Sequence, residues 1–139
     1  MIIETIKKFN LQNVVSFVGK ISFEERKKYM DTHNIGISYI PVTPYYDTQP
    51  PTKTYEYILS GMPVIATSTK ENIKVCNDDN AVLVKDSKED FYKGLCKMFS
   101  KRNDFRSDLI RNSLLDYSWK NIVNNNYKIY LNKILCGKK

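Results

Sequence analysis

The chain has 139 residues, 22 Lys and Arg against 15 Asp and Glu, a net charge of +7, and 42% hydrophobic residues. That composition describes one globular domain able to bury a core, with too much apolar content for intrinsic disorder. The longest apolar runs, such as 13–19 and 62–66, fall far short of the ~20 residues that a membrane-spanning helix needs. The opening Met1-Ile2-Ile3-Glu4 has no positive stretch ahead of a long apolar one, so no signal peptide is expected. Cys76, Cys96 and Cys136 are odd in number and lack C-x-x-C spacing. They read as reduced thiols of a cytosolic protein, and no disulfide is expected. A single histidine, His33, sits in a polar helix-to-strand connection and reads as a surface or capping residue, which removes His-based metal and triad chemistry.

In chain order, residues 2–9 are amphipathic and helical, with no strand before them, so a parallel sheet would begin in the middle of a βα unit and the chain is expected to be truncated at its N-terminus. Residues 14–19 are the first strand candidate. Ser22 and Glu25 form a capping box that opens a helix ending near His33. Residues 35–40 make the second strand, stopped by Pro41. The segment 41–51 holds Pro41, Pro44, Pro50 and Pro51, and must be a loop because proline fixes φ and removes backbone donors. A short helix follows over 52–60, with Gly61 at its end. Residues 63–67 are the third strand, 70–77 a weak helix and 81–84 the fourth strand. Helices follow from Ser87, over 103–117, and over 119–135. The alternation between 14 and 84 is that of an α/β, Rossmann-like parallel sheet with flanking helices, and the whole of 1–139 reads as a single domain.

The segment 50–67 places a proline-rich loop after the carboxyl end of a parallel strand, then a helix start bearing Lys53 and, three residues on, Glu56. Ligands of open α/β sheets bind at that edge. Helix-start amides with Lys53 beside them suit a diphosphate, and Glu56 suits vicinal hydroxyls. This window resembles the P-x-K-x-x-E-Y-x-x-S-G-x-P-V-I-A segment of the carboxyl-terminal, donor-binding half of GT-B fold, family four (group 1) retaining glycosyltransferases. Residues 13–20 are similar to that family's N-V-x-F-x-G strand, 35–41 to its strand ending in proline, 80–84 to its G-x-L-V strand, and Asp116-Tyr117-Ser118-Trp119 with Tyr130 to its F-S-W…Y ending. About residues 10–131 align in order.

The resemblance implies that Glu56 is the second Glu of the family's E-x7-E motif, the catalytic-site acid that holds the ribose of a UDP-sugar. It further implies that the backbone amides of Thr54 and Tyr55, next to Lys53, face the diphosphate and that Gly19, Lys20 and Ile21 meet the nucleobase. Thr48 stands where the first Glu would be, with Asp47 adjacent as a substitute. The family's G-R-x-x-x-x-K-G loop and its acceptor domain are absent from this chain, which is therefore expected to catalyse little alone. Implied too are sugar transfer to a lipid-linked or polysaccharide acceptor in bacterial O-antigen or capsule synthesis, no metal, no other cofactor, and a cytoplasmic place at the inner face of the plasma membrane. The dispersed Lys and Arg fit an anionic membrane surface or solvated helix faces, and no nucleic-acid motif is present. Tyr39, Tyr55 and Tyr57 are expected near the core, and Tyr45 and Tyr46 exposed by the cleft. Rival readings are a stand-alone nucleotide or phosphosugar binder and a flavodoxin-like response domain. In the strand order 3-2-1-4-5-6, lacking its first two strands, the sheet is expected to self-associate or to move 14–18 against 35–40.

Overall fold

A computed structural model describes residues 2–136, so Met1 and the basic Lys138 and Lys139 lie outside the described residues. The chain forms two compact units, Met1–Thr32 and His33–Lys139. In the first, α1 (Ile2–Lys8) and α2 (Phe23–Thr32) are joined by a long turn, and no described residue of this unit is buried. Asn10 adopts a left-handed φ of 53° after α1, a conformation that asparagine tolerates, and Gly19 has φ 70°. The capping box is present: Glu25 N donates to Ser22 Oγ at 3.2 Å, and Ser22 N donates to Glu25 Oε2 at 2.9 Å.

The strand expected at 14–18 does not form. The amides of Val14 and Val15 turn back to the Leu11 carbonyl at 3.0 and 2.8 Å, and Val14, Val15, Phe17 and Val18 are all exposed. A β-branched run becomes a strand only when a neighbour supplies a ladder. The segment has no ladder among the described residues, and the expected move of 14–18 against 35–40 is not made.

The second unit carries a three-stranded parallel sheet in the order β1 (Gly36–Ser38), β2 (Val64–Thr67), β3 (Ala81–Val84), with Gly36 opposite Val64 and Val64 opposite Ala81. Each crossover contains a helix, α3 (Thr52–Leu59) and α4 (Lys70–Val75). After β3 come α5 (Lys88–Lys101) and α6 (Ser107–Ser113). All four residues of β2 are buried, as a strand covered on both faces requires. Val64 and Ala66 face one core cluster with Ile58, Val75, Ile110 and Leu114, whereas Ile65 faces another with Val82, Val84 and Met98. The period of two therefore divides one strand between two cores.

Two of the expected helices are broken. The helix expected over 103–117 begins only at Ser107, because Arg106 is extended, and it ends where Leu114 departs to φ −124°, leaving Leu115–Tyr117 as a 3-10 turn. The helix expected over 119–135 is α7 (Trp119–Ile122), a π-helical turn over Val123–Tyr127, and α8 (Lys128–Cys136). The π turn takes in Asn124, Asn125 and Asn126, three consecutive weak helix formers.

Candidate functional site

β1 ends at Ser38, and from Pro41 the following loop runs over the carboxyl edge of the sheet to Pro50 and Pro51. Pro51 stands at the N-cap of α3 and offers no side-chain cap, so the first turn is closed by carbonyls alone: Thr54 N and Tyr55 N reach the Pro51 carbonyl at 2.9 and 3.3 Å. Between the end of β1, the loop and the start of α3 lies a cleft of about 460 Å³. Tyr39, Pro41, Tyr46 and Pro51 give it apolar walls, Gln49 and Thr52 add polar groups, and Lys53 is its one charged lining residue. A concave, mostly apolar space with a few convergent polar groups and a cation suits a ring-bearing anion.

Below it, a buried polar network fixes α3 on the sheet. The Thr54 hydroxyl has one proton, which it donates to Asn72 Oδ1 at 2.7 Å; it therefore accepts from the Ser38 hydroxyl at 2.9 Å. Asn72 Nδ2 donates to the Thr67 carbonyl at 2.8 Å, and Asn72 N to Thr69 Oγ1, the cap of α4, at 3.1 Å. Thr67 Oγ1 accepts from Ile40 N at 2.7 Å, which leads the chain into the loop. Ser38, Thr54, Thr67, Thr69 and Asn72 are all fully or almost fully buried, and every one is satisfied. One network thus joins β1, α3, β2 and α4, and its Ser38 also lines the cleft.

Two carboxylates hold the loop from outside. Asp86, just past β3, accepts from the Tyr39 hydroxyl through Oδ1 and from Val42 N through Oδ2 at 2.9 Å. These bonds hold its carboxyl below the usual range and, led by the Asp86 contact, push the Tyr39 phenol up. Asp47 accepts from Lys70 N at 2.9 Å and pairs with Lys70 Nζ at 3.2 Å, and the Lys70 amide does most to hold its carboxyl low.

The residues singled out in the sequence occupy different places. Lys53 lies in the cleft wall and is exposed, and Thr48 is exposed on the loop. Thr54 is turned into the buried network. Tyr55 is half-buried against the first core cluster, its ring 5.3 Å from Tyr117, and burial pushes its phenol up. Glu56 is half-buried one turn along α3 and is not among the cleft-lining residues. Gly19, Lys20 and Ile21 belong to the first unit. Tyr57 packs on the core as expected, but Tyr39 is 42% exposed, edge-on to Phe91 at 5.4 Å. Tyr45 and Tyr46 are exposed and pack edge to face at 5.1 Å. Sequence reasoning missed Asn72, Thr67 and Asp86. Only the position of Asp86 just after a strand's carboxyl end gave any signal.

No family model matches the sequence, and no curated protein sequence matches it. Among solved structures, sucrose-phosphate synthase from Thermosynechococcus elongatus is similar to this chain with a TM-score of 0.72 and 19% sequence identity. The match covers 97% of this chain and 34% of that one, so the chain spans about a third of the solved structure it matches. A likeness at this identity establishes the fold: an α/β, Rossmann-like parallel sheet flanked by helices.

Proposed function

We propose that this chain is the donor-binding part of a retaining glycosyltransferase that takes its sugar from a nucleoside diphosphate, with a UDP-sugar as donor. The observation that carries the reading is the cleft at the carboxyl edge of the parallel sheet, with Lys53 at the start of α3 as its cation. It stands in a fold shared with a sucrose-phosphate synthase, a protein named for the synthesis of sucrose phosphate. In this reading the diphosphate lies by Lys53 and the α3 start, Glu56 takes the ribose hydroxyls, and Tyr46 supplies a ring face. The acceptor is a lipid-linked or polysaccharide chain of a bacterial surface polysaccharide, and the basic surface favours an anionic membrane beside it.

Calorimetric titration of UDP into the chain tests this. Binding is expected, weakened by Lys53→Ala. Glu56→Gln is expected to cost about 1.5–3 kcal/mol, the worth of a hydrogen bond to a charged group. Equal affinity in wild type and Glu56→Gln removes the ribose assignment, and no binding by wild type removes the donor site.

A second reading, a nucleotide- or phosphosugar-binding module without transfer, is favoured by the position of Glu56 outside the cleft lining and by Thr48 in place of an acid. UDP binding that survives Glu56→Gln while failing in Lys53→Ala favours the module.

A further inference from the structure

The segment 41–51 has four prolines and so lacks four backbone donors. It cannot hold itself by a ladder, yet it forms a whole wall of the cleft. Its internal bonds are local: Asp47 N reaches the Thr43 carbonyl at 2.9 Å, Tyr46 N the Thr43 hydroxyl at 3.2 Å, and Gln49 N the Tyr46 carbonyl at 3.2 Å. These fold the middle of the segment into turns without fixing where it sits. At its end the Pro51 carbonyl accepts from Thr54 N and Tyr55 N of α3, and the side-chain ties to the rest of the fold come from Asp86, on Val42 and on Tyr39 just before the segment, and from Asp47, on Lys70.

Neither carboxylate is spoken for by a nearer task. The cap of α5 is Ser87, which accepts from Asp90 N at 3.1 Å, while Asp90 accepts from Lys85 N. Asp86 therefore caps nothing: one of its oxygens takes the Val42 amide of the segment and the other the hydroxyl of Tyr39 just before it. The cap of α4 is Thr69, so Asp47 adds a second anchor at a helix start that favours negative charge. Asp86 also reaches from the end of β3, past the end of β2, to the residue after β1, so its hold spans the whole carboxyl edge of the sheet.

We infer that 41–51 is a strap, and that Asp86 and Asp47 are positioning residues that hold it, and with it Tyr39 and Tyr46, at the spacing the cleft needs to receive its ligand. The inference rests on the donor-site reading and names what sets the width of that site. Asp86 acts through Tyr39 and the Val42 amide and touches no ligand itself.

The test uses the whole chain as wild type, Asp86→Ala, Asp86→Asn and Tyr39→Phe, with UDP as probe. Amide exchange at Val42 is followed by NMR, the titration of Tyr39 by its ring-carbon resonance, affinity by calorimetry, and folding by thermal melting. In Asp86→Ala the Val42 amide is expected to exchange faster, Tyr39 to titrate at lower pH, and UDP to bind several-fold more weakly, with the melting temperature held because Asp86 is exposed. Asp86→Asn keeps an acceptor oxygen and is expected to fall between, and Tyr39→Phe to weaken UDP binding while leaving Val42 protected. Unchanged Val42 exchange in Asp86→Ala overturns the strap. Faster exchange with unchanged UDP affinity overturns the positioning role alone. Absence of UDP binding in wild type overturns the donor-site reading and the positioning role with it, while Val42 exchange still decides whether Asp86 anchors the strap.

Discussion

Thr54 shows how little a side chain's role follows from its place in a motif. At the start of a helix beside Lys53 only its backbone amide reads as ligand-facing, and its hydroxyl is the middle of a buried chain from Ser38 to Asn72. Thr54→Val keeps the shape and leaves both neighbours short of a partner. It is expected to cost about 1–3 kcal/mol, the desolvation penalty of orphaned polar groups, measurable by urea unfolding. Asn72 was illegible for the matching reason: a lone asparagine in a weak helix looks solvated until the fold brings Thr54 and Thr67 to it. Cys76 makes a separate prediction. Burial pushes its thiol from an ordinary 9.0 up to about 12. Since the folded state holds the proton more tightly, this contribution to stability is complete below about pH 9 and is lost as pH rises toward 12. Disulfide-exchange reagents at pH 8 are expected to label the exposed Cys96 and Cys136 and to reach Cys76 only on unfolding. Fast labelling of all three contradicts this.

At the scale of elements, α3 is the clearest case of a sequence pattern that carries through. Gly61 was expected at its end, and there it adopts φ +84°. The turn closes with Met62 N on the Tyr57 carbonyl at 3.0 Å, and Arg111 of α6 reaches the Leu59 and Ser60 carbonyls at 3.2 Å each. A Cβ at Gly61 would lie 2.9 Å from the Ser107 carbonyl oxygen. Gly61→Ala therefore combines a left-handed backbone with a collision against α6. It is expected to cost about 1–3 kcal/mol for the strained backbone alone, read as a lowered melting temperature, and a neutral effect would refute the tight α3–α6 approach. The helix was legible because its signals are local: prolines before it and glycine after it. The strand expected at 14–18 was not, because composition cannot supply the neighbour that a strand needs. Likewise 103–117 shows helical spacing throughout, but spacing does not reveal that Arg106 and Leu114 leave helical φ and ψ.

For the molecule as a whole, the sheet of the second unit has one thoroughly buried strand between two edges. β1 pairs only with β2 among the described residues. Beside it Ile35 and Ile37, together with Leu95 and Phe99, line an apolar groove of about 530 Å³. An unpaired apolar edge is a template for an identical strand. The chain is therefore expected to self-associate, its mass by light scattering rising with concentration, and Ile37→Lys is expected to suppress the rise. A monomeric mass at every concentration refutes it.

The pairing of β2 with both edges has a kinetic consequence. Val64 meets Ala81 across a shorter stretch of chain than the one that separates Gly36 from Val64, and the longer stretch contains the strap. Closing the shorter loop costs less entropy, so β2, α4 and β3 are expected to assemble first and to nucleate the second unit, with β1 and α3 joining after the rate-limiting step. In stopped-flow measurements Val82→Ala should then slow refolding, whereas Ile58→Val should leave refolding near its original rate and chiefly hasten unfolding. The reverse assignment would place the nucleus at the cleft, and the site would be built before the sheet that carries it.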